Sequence, residues 1–555
     1  MRISGWLGAL AVGVSLLALS PGAMALGQLD QSGLVGKPEG IGIVTDRAKW
    51  PTSFNEAPSL AALVREGKLP PVKDRLPQDL MVIQPVREIG KYGGTWRRGF
   101  TGPGDDENGN RLNASDRPIL VDHTGTKPLL PRYAGDVEAA NTAARAAGFD
   151  NWLVRLHFMK DWTRNPAVPV LGPWRTLEPI NRASWVMERN PYYWAVDTAG
   201  NQLPYMDRVI MTLAENLEVL NLRAMGGEYD LQERHIDIGK LPVLLENQKR
   251  GNYTVKLDLA LNGADAIYHF NQSLDGDAEI AKWLRNADFR RVLSLAIDRK
   301  QLNETFWPGV ATPGSAAPGD ALPYFPGPGW REQWSTYDVK QANEMLDRIG
   351  LSKKDGQGFR VRTDNGQRLR IQVQAVQAFL PWPRISEMVA DQWAKVGIQA
   401  DVRDTERNLA MTRTANNEHH IMVWHNGGTE LLYLFPRHAI PVDPTEAYMG
   451  PLHAQWFASN GAAGRKPEDA NILRIMDLFR SAAGQQAADR IKTAQEIWKI
   501  LIDQQYAIGT VGQSPALMGV RLVSNRLGHI PDRNCIAQHC RTPGGAHPET
   551  WFYKN

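Results

Sequence analysis

Apolar and polar positions follow three rhythms along this chain, and each predicts a different element. The first is an unbroken apolar run, Trp6 to Leu19, preceded by Arg2 and followed by Pro21-Gly22-Ala23-Met24-Ala25. An ordinary bilayer anchor takes about 20 apolar residues. The run is shorter, and the A-x-A ending is one that signal peptidase accepts, so residues 1–25 read as a secretory leader cleaved after Ala25. The second rhythm is helical. Ala342, Met345, Leu346 and Ile349 recur at i, i+3, i+4 and i+7, between a capping pair, Asp338 with Gln341, and a left-handed stop at Gly350. Helices are also predicted over Pro58 to Glu66, Ala470 to Ser481 and Gln486 to Gln504. The third rhythm has period two. Leu369, Ile371, Val373 and Ala375 alternate, as do Ile398, Ala400 and Val402, and the stripe Ile385, Met388, Val389, Trp393, Val396 lies between them. Strand, helix, strand with a crossover of this length predicts parallel strands in an α/β lobe with helices covering the sheet.

Other segments are read from turn chemistry. Residues 26 to about 90 are rich in Pro and polar residues and read as a wrapping arm, and Tyr92-Gly93-Gly94-Thr95-Trp96-Arg97 reads as a turn feeding a strand. Gly102 to Asn110 is a Gly/Asp/Asn-rich loop. Its Asp105-Asp106-Glu107-Asn108-Gly109 lacks the spacing and distal Glu of an EF-hand, so a solvated turn is expected rather than a calcium site. Ala507 to Gly512 and Leu517 to Val523 read as strands that return the chain to its first lobe, followed by a Pro/Gly-rich tail.

Length changes this picture more than charge does. At 555 residues the chain exceeds one ordinary core and implies two large lobes or several domains. A net charge of +3 gives no phosphate-binding footprint, so nucleic acid is not an expected partner. No later apolar stretch approaches a membrane span. The only cysteines, Cys535 and Cys540, are close together in an exported chain and are expected to form a disulfide. A metal site with His539 is the rival, although the spacing matches no common zinc motif.

The most specific string is Phe289-Arg290-Arg291-Val292-Leu293-Ser294-Leu295-Ala296-Ile297-Asp298-Arg299-Lys300-Gln301-Leu302-Asn303. Physically it reads as two abutting helices, the first capped by Asp288, the second by Asp298 with Gln301 and ended by Gly309. The string resembles the helix pair of the family 5 extracellular solute-binding proteins, the peptide and nickel receptors of ABC importers. The resemblance extends to Gly172-Pro173-Trp174-Arg175, Glu188-Arg189-Asn190-Pro191-Tyr192-Tyr193-Trp194, Leu203-Pro204-Tyr205-Met206-Asp207 and Gly226-Gly227-Glu228-Tyr229-Asp230, in the family's order, and covers most of residues 160 to 510. It implies a two-lobed periplasmic binding protein with mixed sheets flanked by helices. Lobe I would comprise residues 26–250 with the tail 505–555, and lobe II residues 251–504. The chain departs from the family where Thr124-Gly125-Thr126-Lys127 runs directly into Pro128-Leu129-Leu130-Pro131-Arg132-Tyr133, so a family segment is missing near 127/128. Its loss is expected to expose apolar surface on the remaining strands, at about 25 cal/mol per Å².

In such a receptor the ligand lies in the cleft and is engulfed as the lobes close. Ile421-Met422-Val423-Trp424-His425-Asn426-Gly427-Gly428 reads as a buried strand breaking into a Gly-rich loop, a place where cleft contacts gather. Trp424 could be an apolar platform or a core residue, His425 stands beside it, and Asn426 offers hydrogen bonds. Arg437 and Asp443 could meet the termini of a peptide or be solvated loop charges. His419, His420 and His425 do not converge on a strand, and no metal or other cofactor is expected.

A secreted hydrolase is the rival class. The chain has no G-x-S-x-G or H-E-x-x-H, and Gly512-Gln513-Ser514-Pro515 places Pro where an elbow needs a helix N–H. The 18 Trp would suit sugar stacking as well as peptide contacts. The expected protein is a monomeric periplasmic receptor, not an enzyme, that delivers an oligopeptide or similar extended solute to an inner-membrane ABC permease. The alternative within the family is a sensor or a non-transporting remnant.

Overall fold

The computed structural model describes residues 34–37, 39–110, 112, 136–536 and 544–554. The leader at 1–25, the junction at 127/128, and His539 with Cys540 lie outside the described residues.

The strand, helix, strand reading is realised. Arg370–Ala375 and Gln399–Asp404 pair in parallel, from Arg370 opposite Gln399 to Ala375 opposite Asp404. The crossover helix, Trp382–Ala394, buries Ile385, Val389 and Trp393 against them. On the other edge of Arg370–Ala375, Ile421–Trp424 adds in parallel, and Ile267–Phe270 and Ala507–Gly509 extend the sheet antiparallel to five strands. Ile421–Trp424 and Ile267–Phe270 are buried at every position. Strands covered on both faces have no solvent side to mark with polar residues, which is why they read as apolar runs.

A second sheet has the order Thr95–Phe100, Arg208–Leu213, Ser184–Arg189, Trp174–Glu178, parallel at the first pairing and antiparallel after it. Trp96, Trp174 and Trp185 fill its core, and the Trp96 ring lies 5.2 Å from that of Trp551, so the end of the tail packs back on this sheet. Between the two sheets, Val520–Ser524 pairs with both Leu231–Gln232 and Tyr253–Leu257. The chain therefore passes to the five-stranded sheet through 258–266 and returns through 510–519. The architecture is mixed α/β with several sheets and covering helices.

The arm wraps the second sheet's end. Its helix Pro58–Arg65 is followed by Arg75, a buried guanidinium that donates to the carbonyl of Pro70 and to Gln202 Oε1 at 2.9 and 3.0 Å, and pairs with Glu56.

The helix pair at 287–306 owes its geometry to buried arginines. Arg299 donates to the carbonyls of Ser294, Gly509, Gly314 and Ser335 at 2.9 to 3.1 Å and to Ser294 Oγ at 2.7 Å. Burial pulls its guanidinium down to about 9. Arg290 likewise reaches the carbonyls of Gln504 and Leu284. The motif thus fastens helices to the last strand of the five-stranded sheet.

Two expectations change. Asp298 does cap the second helix, accepting from the Gln301 N–H at 3.0 Å, but the first is capped by Asn286, which accepts from the Phe289 N–H at 3.0 Å, while Asp288 sits in the first turn and pairs with Arg291. Gly102 to Asn110 is not a solvated turn. It forms the short helices Pro103–Asp105 and Glu107–Asn110, with Asp105 and Asn108 buried.

Candidate functional site

The Ile421–Trp424 strand ends where residues from both sheets converge. Trp424 is 2 % exposed, 4.8 Å from Trp382 and 6.3 Å from Phe379 between ring centroids, with the Arg407 guanidinium 5.4 Å from its ring. Its surroundings are those of a packed aromatic rather than an open platform. The His425 ring stacks on Trp424 at 5.5 Å and meets Phe379 edge-on at 5.3 Å, and its Nδ1 accepts from the Gly427 N–H. Asn426 uses both ends of its amide on the framework, accepting from the Ala264 N–H at 2.8 Å and donating to the Ala316 carbonyl at 3.1 Å. These bonds fix the loop.

Arg437 and Asp443 pair with each other at 2.9 Å, and Arg437 also lies 3.7 Å from Glu446. Glu446 accepts from His438 at 3.1 Å. Burial pushes the Glu446 carboxyl up, but His438, Arg437 and Arg407 outweigh it and hold the group below its usual range. His438 stacks on Tyr448 and meets His425 edge-on, so this charged loop is continuous with the aromatic group.

Sequence reasoning missed the other half of the junction. Asp105 accepts from Arg234 at 2.6 Å and from His235 at 3.0 Å. Burial alone would raise the Asp105 carboxyl; Arg234, His235 and Arg407 drive it below its ordinary value. Burial lowers the His235 imidazole from its ordinary value, against the pull of Asp105. Its backbone is left-handed at φ 66°, a strained conformation for a residue with a Cβ, and the Asn221 amide donates to its carbonyl at 2.9 Å. The ring stacks on Phe379 at 5.2 Å, and the Arg234 guanidinium lies 5.0 Å from the same ring. No local pattern marks Arg234, His235 or Phe379. Asp105 stood in a cluster whose composition mimics a solvated turn.

The remaining candidates do not form a reactive centre. His419 donates from Nε2 to the Tyr448 carbonyl at 2.8 Å, and His420 accepts from the Gln372 N–H. Among the described residues no group of three His, Cys, Asp or Glu is arranged to hold a metal ion. The Ser514 hydroxyl donates to buried Asp265, which also takes bonds from Trp307 and Asn262, so it is anchored rather than poised for attack. Among the described residues no helix is long and apolar enough to cross a membrane.

Comparison with known proteins fits this geometry. Residues 126–432 match the model of the bacterial extracellular solute-binding proteins, family 5 middle region. A periplasmic alpha-galactoside-binding protein from Rhizobium meliloti (strain 1021) is 30% identical over 209 residues, which span 35% of this chain and 28% of that relative. Among solved structures, an oligopeptide-binding protein OppA is similar at 25% identity and a TM-score of 0.57, covering 91% of this chain and 97% of that one. The periplasmic binding protein MelB from Agrobacterium fabrum C58, in complex with stachyose, shares the fold at 16% identity and a TM-score of 0.70, with 94% of each chain covered. The family match spans more than half of the sequence and takes in three of the second sheet's four strands, the helix pair and the strand that ends at Trp424. This chain belongs to the bacterial extracellular solute-binding proteins, family 5, a family of ABC-transporter binding proteins rather than enzymes.

Proposed function

We propose that this chain is a periplasmic receptor that captures an extended polar solute, an oligopeptide on the first reading, and delivers it as a monomer to an inner-membrane ABC permease after loss of a leader ending near Ala25. The observation that carries the reading is the junction at the end of Ile421–Trp424. There Asp105, Arg234 and His235 from the N-terminal sheets face Phe379, Arg407 and Trp424 from the five-stranded sheet. Lobes I and II, divided near residues 250 and 504, would part and close across that junction, so that binding energy is linked to closure. The likeness to an oligopeptide-binding protein over nearly the whole chain supports a peptide ligand.

A second ligand reading, an α-galactoside oligosaccharide, rests on the identity shared with the alpha-galactoside-binding relative, whose length is matched only in part. Intrinsic Trp fluorescence and thermal melting against pooled di- to hexapeptides, oligosaccharides such as stachyose, and nickel test both. A saturable change with one pool, together with a raised Tm, is expected of a working receptor. A melt indifferent to every pool would favour a remnant that has lost binding with the family segment near 127/128.

A further inference from the structure

Beyond the junction, the loop after Trp424 continues into the wall of a separate cavity of about 430 Å³. Leu259, Leu261, Leu322, Leu431 and Ile536 give it apolar sides, and Glu430 and Asn534 supply buried polar groups. Four of its eleven lining residues, 533–536, lie in the C-terminal tail beyond the family-matched span.

The tail is held firmly at this point. Arg521, buried in a bidentate pair with Asp258, donates to the carbonyls of Pro531 and Asp532 at 2.9 and 3.1 Å. The Asn534 N–H donates to Asp258 Oδ1 at 2.8 Å, and the Asp532 N–H to Glu39 at 2.6 Å. Yet the Asn534 side chain, only 6 % exposed, has no hydrogen-bond partner at either Oδ1 or Nδ2. A buried amide with both ends unpaired is unfavourable. Across the cavity Glu430 uses one carboxylate oxygen on the Gly428 N–H at 2.7 Å. Burial raises this carboxyl to about 7, so it exchanges readily between hydrogen-bond acceptor and donor.

We infer that this cavity is a ligand subsite for a neutral, hydroxyl-bearing ring of a glycoside. A sugar hydroxyl donates to one group while accepting from another, which matches a carboxyl and an amide that supply both functions. The C–H face of the ring suits the leucine walls. The subsite rests on the receptor reading and adds that the tail, rather than the family-matched segment alone, sets ligand preference.

Calorimetric titration of the mature full chain with stachyose, pentaalanine and nickel, repeated with Asn534→Ala and Leu261→Trp, tests it. Asn534→Ala removes an amide that makes no hydrogen bond, so the fold is expected to keep its stability, and Leu261→Trp fills the cavity from an exposed position. The expected result is saturable stachyose binding that weakens by about tenfold or more in each variant. Stachyose binding equally tight in all three proteins would overturn the subsite and leave the receptor reading standing. Binding of pentaalanine in place of stachyose would overturn the glycoside assignment. No saturable binding of any probe by the unaltered protein would overturn the receptor reading itself.

Discussion

The imidazole of His235 lies against the ring of Phe379, centroids 5.2 Å apart and planes 24° from parallel. His235 follows the short strand Leu231–Gln232, and Phe379 follows Arg370–Ala375 in the five-stranded sheet, so the stack joins the two halves of the molecule. Arg234 on the same ring and Asp105 behind both give it a charged backing.

The stack's own contribution can be separated from packing. Phe379→Leu keeps most of the apolar volume and removes the ring, and is expected to lower the unfolding free energy by about 1 kcal/mol. Phe379→Ala, which also opens a cavity, should lose about 3–5 kcal/mol. Urea unfolding of both variants measures the difference, and a Phe379→Leu protein as stable as the native one would show that the stack contributes nothing beyond filled space.

Arg299 should resist its conservative exchange. Arg299→Lys keeps a cation but cannot reach the carbonyls of Ser294, Gly509, Gly314 and Ser335 together, and each buried acceptor left unpaired is unfavourable by about 1–3 kcal/mol. Arg299→Lys is therefore expected to lower Tm strongly. A melting curve unchanged from the native protein would refute the fastening role of this motif.

Two carboxyls should pull stability in opposite directions with pH. Asp105 is depressed when folded, so its stabilisation is present above the usual carboxylate range and is lost as pH falls through it toward the folded value. Glu430 is raised from 4.5 to about 7 when folded, so the native state holds that proton more tightly and stability declines as pH rises across this interval. Glu430→Gln, which stays neutral, should gain on the native protein through the same interval, on the order of 3 kcal/mol at its upper end. Unfolding titrations of both proteins near pH 5 and pH 8 check the sign, and a difference that shrinks with rising pH would contradict it.

We propose that Cys535 pairs with Cys540. Cys535 lines the tail cavity one residue from Asn534, whereas Cys540 lies outside the described residues. Alkylation of the denatured chain without reductant is expected to leave both cysteines unmodified, with both labelled after reduction. Labelling without reductant would point instead to free thiols.

Much of this architecture is legible from local patterns because its causes are local. Asp338, Asp298 and Gly350 act on their own helices through hydrogen bonds within a turn and a φ of 99°, so a single sequence contains them. Period-two and helical stripes predict Arg370–Ala375, Trp382–Ala394 and Gln399–Asp404, because one-sided burial imposes its period on the residues. The string around Arg299 points to the family. What sequence could not supply is the company each residue keeps. Asp105 resembles a solvated turn until Arg234 and His235, brought by a distant strand, neutralise it. Asn426 looks available until Ala264 and Ala316 take its amide, and Asn534 carries no signal until Arg521 and Asp258 hold it over a cavity. Those partners lie tens to hundreds of residues away, and only the folded chain decides which buried polar groups are satisfied and which are not.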